Sequence, residues 1–359
     1  MALDFLKVKE KDAVRVPWQT LRAQTVAILR AVNVPKKHAE ITAGILIKSD
    51  LFGVDSHGSN NVIGYTGQIQ KKNWTIPQRI KVISESESGA VISNGNGLGF
   101  VGAHRAMEMA IEKAANVGVG MVSVRDGHHI GMVGYYPLMA VEHDMLGMAM
   151  TNGASSVRPA MAARARLGTN PIAFGAPAGE EKPFLFDAAM STVASGKLGI
   201  ARRLGVKIPA GWAVDAEGDP ITVPPPERSE MWSQNPLGNT REQGAHKGYG
   251  LAVMVDILTG ILSGGGFSAQ QESGGNQTWC MAVDISKFRP LDEFKAHMDE
   301  MIRELHNTPP EPGVDRVLVA GDPEWETEAE RKANGIPLHR SIVQNMTAKA
   351  KEVGAEVLI

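Results

Sequence analysis

The 359-residue chain contains one cysteine, no excess of one charge, no long uninterrupted apolar run and no repeat or low-complexity tract. Each absence narrows the reading. With Cys280 alone no internal disulfide is possible, so a reducing, cytoplasmic compartment is expected. A formal net charge of −2, with acids and bases interspersed, lacks the electrostatic footprint of a nucleic-acid binder. The expected partner is therefore a small neutral or anionic molecule. Residues 1–16 are charged and carry no signal-peptide core, and the apolar stretches downstream are broken by Gly, Asp or Lys well short of a membrane span. Neither export nor membrane insertion is expected. What the chain does have is a hydrophobic content of 43%, enough for a substantial core in two or three packed lobes.

Hydrophobic periodicity predicts a helix through Leu21, Ile28, Leu29 and Val32, ending before Pro35, then helices over 38–51 and 60–71. From about Pro77 strands and helices alternate: strands near 80–82, 90–93, 118–124, 146–151 and 184–187, helices near 103–115, 133–143 and 195–203. A long loop is expected from Pro224 to Gln243, a buried helix over 248–262, and closing helices over 291–305, 326–333 and 341–352. This pattern is an α/β core with helical flanks.

Gly97-Leu98-Gly99-Phe100-Val101-Gly102 fits the G-x-G-x-x-G form between a predicted strand and a predicted helix. Such glycines let backbone approach a pyrophosphate at a helix N-terminus. A chain with 39 glycines nevertheless produces three-Gly matches by chance, and a tight strand-to-helix turn explains the same residues.

Three polar groups interrupt apolar elements where packing requires none. Asp55-Ser56-His57-Gly58 offers a hydroxyl and an imidazole that titrates near neutrality, although a capping serine with a surface histidine reads equally well from this turn alone. Asp126-Gly127-His128-His129-Ile130-Gly131 follows a strand, where α/β proteins place reactive groups. Oxidation of an alcohol needs a base for the hydroxyl proton, and a neutral imidazole suits that task. Thr151-Asn152-Gly153, Gly168-Thr169-Asn170-Pro171, Asp187-Ala188-Ala189 and His246-Lys247-Gly248 set polar groups among small residues, as a ligand rich in phosphates and hydroxyls requires. Two rival readings exist: a metal-dependent hydrolase using Asp55, His57, His128, His129, His143 and Asp144, and a non-catalytic binding protein. No H-e-x-x-H or C-x-x-C spacing supports the metal reading.

At these blocks, together with Gly134-Tyr135-Tyr136, Gly196-Lys197, residues 208–213 and His246 to Leu251, the sequence closely resembles the type-2 malate/L-lactate dehydrogenase family, which includes ureidoglycolate, sulfolactate and diketogulonate enzymes and cyclic-imine reductases. The resemblance implies a non-Rossmann α/β (α+β-like) fold. A central, mainly antiparallel sheet domain (76–296) would hold NAD or NADP, and a helical domain built from both chain ends (1–75 with 297–359) would cover the substrate and make a homodimer. The Gly97–Gly102 stretch then becomes an ordinary turn. Carried over by position, His129 is the residue that exchanges a proton with the substrate oxygen, a role some members give to the counterpart of His57. Ser56 hydrogen-bonds the substrate, and Tyr65 and Thr169 lie on its side. Thr151, Asn152, Gly153, Asp187, Ala188, Ala189, His246, Lys247 and the late loop Gly321-Asp322-Pro323 line the cofactor.

The chain departs from this pattern at Asn61, where many members carry an Arg suited to a bidentate carboxylate clamp. Exchanging charged for neutral hydrogen bonding costs about 1–2 kcal/mol, roughly tenfold in affinity. Arg158 could supply the missing charge, and His128 could contact an unusual substrate. The expected reaction interconverts a small 2-hydroxy acid and its 2-oxo acid; the alternatives are reduction of a cyclic imine carboxylate or of a bulkier 2-oxo acid.

Overall fold

A computed structural model describes residues 4–226, 231–271 and 275–359. The chain opens with β1 (Ala13–Val16) and three helices: α1 (Trp18–Ala31), α2 (Lys36–Leu51) and α3 (Val62–Gln70). There follow β2 (Lys81–Glu85), β3 (Gly89–Ser93), α4 (Gly99–Val117), β4 (Val119–Gly127), α5 (Tyr135–Val141), β5 (Met145–Thr151), β6 (Ile172–Ala176), β7 (Phe184–Ala188) and α6 (Ser195–Leu204). The short strands β8 (Ala213–Asp215), β9 (Pro220–Ile221) and β10 (Trp232–Gln234) precede α7 (Ala245–Asp256), which runs into a π-helical turn, Ile257–Ile261. Last come β11 (Asn276–Asp284), α8 (Leu291–His306), α9 (Asp322–Asn334), β12 (Ile336–His339) and α10 (Arg340–Val353).

Seven strands form the central sheet in the order β2-β3-β4-β11-β5-β6-β7, and only the β3–β4 pair is parallel. The connection between those two is α4, whose Phe100, Ala103, Ala106, Met107, Ala110 and Ala114 recur on one face and are buried against β4 and β11. Gly118, in the left-handed region at φ 91°, ends the helix and turns the chain into β4. The mainly antiparallel sheet expected from the resemblance is the one observed.

Both chain ends build a helical layer. β1 and β12 pair antiparallel, Ala13 opposite His339, and α10 lies against α1 and α3 while α9 packs on α2. The 296/297 boundary falls inside α8, which is tied to the sheet side: Asp299 accepts the backbone N–H groups of Gly179, Glu180 and Glu181, and Lys295 pairs with Asp144.

The glycines of the G-x-G-x-x-G stretch serve close packing. A Cβ at Gly99 would stand 1.9 Å from the carbonyl oxygen of His128, and one at Gly102 would stand 2.4 Å from Asn94 Oδ1. The Pro224–Gln243 run is not all loop: β10 lies within it and pairs with β8, while residues 227–230 lie outside the described residues. β11, the middle strand of the sheet, was expected from no alternation, because Gln277 to Cys280 are all buried.

Candidate active site

The helical layer and the sheet meet at two imidazoles. His57 comes from the 3-10 turn Asp55–His57 after α2, and His129 follows β4 by two residues. Their rings stack at 5.3 Å between centroids, 24° from parallel. Burial holds both in the neutral form: His57 falls to about 4, helped by the nearby positive charge of Lys197, and His129 to about 3, helped by His57.

The two rings are supported differently. His57 Nδ1 lies 2.8 Å from Ser56 Oγ, and the turn carrying it rests on Asp50. That carboxylate is 2% exposed, accepts the Ser59 N–H at 2.8 Å, and is pushed up to about 7 by burial and by Asp55. A Cβ at Gly58 would overlap it. Arg331 of α9 closes the far side, donating to the carbonyl of Asp50 and the carboxylate of Asp55, each at 2.5 Å. His129 is walled instead by aromatic rings: Phe100 meets it edge-on, and Tyr65, itself against Phe100 and Trp74, places its hydroxyl 2.7 Å from His129 Nδ1. A phenol at that distance serves either tautomer, accepting from Nδ1–H or donating to a bare Nδ1, as a proton-exchanging ring needs. The Gly131 N–H, 3.3 Å from the same nitrogen, biases the resting ring toward carrying its proton on Nε2.

Other expected residues are distributed around this centre. Asn61 donates from Nδ2 to the carbonyls of Ser56 and Gly58, both at 3.1 Å, so it braces the His57 turn. His128 has other partners than His129: it stacks on Trp74 at 4.5 Å, its Nε2 is 2.9 Å from Asn96 Oδ1, and it borders a separate cavity of about 490 Å³. Arg158 donates to Asn235 Oδ1 at 2.7 Å and so belongs to the small β8–β10 sheet; no contact joins it to the two histidines among the described residues. Thr151 and Asn152 are buried with their polar groups engaged: Thr151 donates to the carbonyl of Gln277, while Asn152 donates to Asp256 and accepts from the Gln277 N–H. Gly153 follows them and packs near Asn276, and Thr169 accepts the Met190 N–H through its carbonyl.

Asp187 links the centre to a second recess. It accepts the Gly134 N–H at 2.6 Å, and although it is exposed near the end of β7, the protein around it raises its carboxyl to about 7. With Leu185, Ala320, Gly321, Pro323 and Glu324 it lines a recess of about 280 Å³. Gly321 sits at φ 106°, where a Cβ would press on the Leu185 N–H, and Asp322 fixes the loop through the Val319 N–H and His306. Ala188 and Ala189 continue from Asp187, and His246 and Lys247 stand exposed in the first turn of α7, after the left-handed Gly244. Small residues and a helix start carrying His246 and Lys247 fit an extended ligand bearing phosphates and ribose hydroxyls.

Among the described residues no three His, Cys, Asp or Glu side chains converge as metal ligands. The contribution that sequence reading missed comes from Phe100, Trp74, Glu324 and Arg331. None belongs to a polar motif; only the three-dimensional packing brings them to the aromatic wall, the His57 turn and the recess.

Residues 16–347 match the family model described as malate/L-lactate dehydrogenase. The chain belongs to this family. Among the relatives of this dehydrogenase are the malate dehydrogenase of Pyrococcus abyssi, 40% identical over 97% of this chain and 98% of the relative, and the L-sulfolactate dehydrogenase of Methanothermobacter thermautotrophicus, 38% identical over 91% and 93%. The solved malate dehydrogenase of Entamoeba histolytica superposes with a TM-score of 0.92 at 31% identity, covering 96% of this chain and 99% of its own. The dehydrogenase is an oxidoreductase acting on a CH–OH group, and none of these comparisons supports the hydrolase alternative.

Proposed function

We propose that the dehydrogenase uses NAD or NADP to interconvert a small 2-hydroxy acid and its 2-oxo acid, with His129 exchanging the substrate proton. The observation that carries this reading is the pair of neutral imidazoles, stacked at 5.3 Å where the helical layer meets the sheet and flanked by a recess with a glycine-built wall. In the oxidative direction the ring first shifts its own proton to Nδ1, where the Tyr65 hydroxyl receives that N–H, and the bared Nε2 takes the hydroxyl proton; in reduction Nε2 returns the proton. His57 and Ser56 orient the substrate oxygen, and Phe100 and Trp74 limit the access of water to His129 through the ring wall. Asp187, Ala188, Ala189, Gly321 and Pro323 would hold the nicotinamide end of the cofactor, and His246 and Lys247 its phosphates; when bound, the nicotinamide supplies the hydride acceptor or donor.

The same proposal includes a homodimer in the cytoplasm. Leu251, Met254, Ile257, Ile261 and Leu262 recur on one exposed side of α7 and its π-turn, which supports burial of that face by a second copy. Among the described residues no helix is long and apolar enough to cross a membrane. A cyclic imine carboxylate is a second candidate substrate, supported by the structure of a Δ1-piperideine-2-carboxylate reductase from Pseudomonas syringae, which superposes with a TM-score of 0.83 at 25% identity. The test is absorbance at the reduced-nicotinamide band with NADH and NADPH in turn and a panel of 2-oxo acids plus a cyclic imine. Oxidation of either cofactor by a 2-oxo acid is expected; turnover of the imine alone changes the substrate class, and absence of both turnover and cofactor binding overturns the proposal.

A further inference from the structure

A 2-oxo acid brings a carboxylate into a half-buried site, where a formal negative charge needs a cation or several hydrogen-bond donors. Position 61 provides neither. Two carbonyl oxygens, those of Ser56 and Gly58, orient the Asn61 amide and occupy its N–H groups, so the group left for a ligand is an acceptor oxygen that repels a carboxylate. Arg158 is held by Asn235 in the small sheet, away from the histidines.

One other cation stands beside His57. Lys197 lies in the first turn of α6, and α6 packs directly on the His57 turn: a Cβ at neighbouring Gly196 would be 2.7 Å from Ser56 Cβ. Its charge reaches His57 on one side and Glu324, a wall of the 280 Å³ recess, on the other. Lys197 is half-buried, yet among the described residues it makes no ion pair and no hydrogen bond. Other lysines with comparable burial are paired: Lys48 with Glu328 at 2.7 Å and Lys295 with Asp144 at 2.5 Å. Burial without a partner disfavours the ammonium, and its ordinary value is lowered accordingly. An anion delivered next to His57 would satisfy it.

We propose that Lys197 receives the C1 carboxylate of the substrate and replaces, from the opposite side of the His57 turn, the cation missing at position 61. The proposal rests on the 2-oxo acid reading above and deepens it. The substrate then lies with its reacting oxygen toward His129 and its carboxylate toward α6, with His57 between them. An ammonium is a point charge and not a planar fork, so recognition depends on charge more than on carboxylate orientation.

The experiment compares wild type, Lys197→Gln and Lys197→Arg with pyruvate, oxaloacetate and the neutral pyruvamide as oxidants of NAD(P)H, and titrates oxamate calorimetrically in the presence of cofactor. In the glutamine variant KM for the two acids is expected to rise roughly tenfold or more with a smaller change in kcat, since a charge-assisted bond is lost. KM for pyruvamide and the fluorescence-measured affinity for NAD(P)H should stay unchanged, oxamate should bind at least about tenfold more weakly, and arginine should restore most of the loss. A weakened cofactor affinity with unchanged KM for the acids would assign Lys197 to the cofactor and overturn the proposal, as would equal losses for pyruvate and pyruvamide. If wild type reduces no 2-oxo acid with either cofactor, the parent reading fails, while unequal oxamate binding by wild type and Lys197→Gln still supports an anion site at Lys197 and equal binding refutes it.

Discussion

His57 and His129 face each other at one site, but the ground beneath them has opposite chemistry. The His57 turn is fastened by charge: Asp50 below it, Asp55 at its start, and Arg331 reaching across from α9. His129 is fastened by rings and close backbone packing, with Phe100, Tyr65 and Trp74 on one side and Gly99 admitting the His128 carbonyl on the other. Charge networks fix a turn only while every member is present and correctly ionised, whereas apolar walls are indifferent to pH and also hold the imidazole neutral. On this difference rests the proposal that His129 exchanges the proton and His57 sets position.

The largest test of this division removes each ring. His129→Ala is expected to lower kcat by roughly 10²–10⁴-fold with cofactor affinity nearly unchanged, and His57→Ala to act mainly on KM. Steady-state kinetics on both variants decides; a kcat collapse confined to His57→Ala would exchange the two roles. Next in size is Arg331→Met, which leaves Asp55 and the Asp50 carbonyl without their cation. A loss of about 3 kcal/mol is expected, read as a lower urea midpoint, together with weaker substrate binding through a loosened His57 turn. Unchanged stability would mean that the charged support is ornamental.

The smallest effect is a pH dependence. His57 and His129 have folded values of about 4 and about 3, below the ordinary 6.5, so their contribution to stability is present above 6.5 and lost as pH falls toward those values. Asp50 is displaced the other way, from 3.8 to about 7; its contribution is complete below 3.8 and lost as pH rises through 7, and Asp187 has the same sign. Between pH 4 and 7 the trends oppose, and urea melts of wild type should vary weakly with pH. Asp50→Asn keeps an oxygen for the Ser59 N–H but removes the titration, so its stability should rise more steeply from pH 4 to 6.5. Parallel profiles for the two proteins would show that Asp50 does not titrate in that window.

The local features of the site were legible in the sequence because they are made of neighbours. The Asp55–Gly58 turn, the His128-His129 strand end and the helix that brings Tyr65 are each specified within a few residues by period, glycine and polar interruption. Their assembly was not legible, since Tyr65 meets His129 across 64 positions and Asp55 meets Arg331 across 276. Sequence reading grouped His128 with His129, and the fold gives them different partners: His128 stacks on Trp74 and meets Asn96, while His129 meets Tyr65, Phe100 and His57. The strands that escaped notice are β6 and β11, largely buried on both faces, and β1, β8, β9, β10 and β12, each too short to show a period.

The Arg331 bridge also orders events during synthesis on the ribosome. When His57 leaves the exit tunnel, the guanidinium that will lock its turn has yet to be translated, with 276 positions separating Asp55 from Arg331. At the elongation rates of about 5–20 residues per second, that interval lasts tens of seconds. The rings of the wall around His129, Tyr65, Trp74 and Phe100, are translated long before Arg331, but the middle strand β11 and then the latch come late, and the nascent polypeptide carries an unlatched half of its candidate site until α9 and β12 are made. Assembly of the site thereby waits until α9 has been translated, and a product truncated before α9 would hold both histidines without the latch.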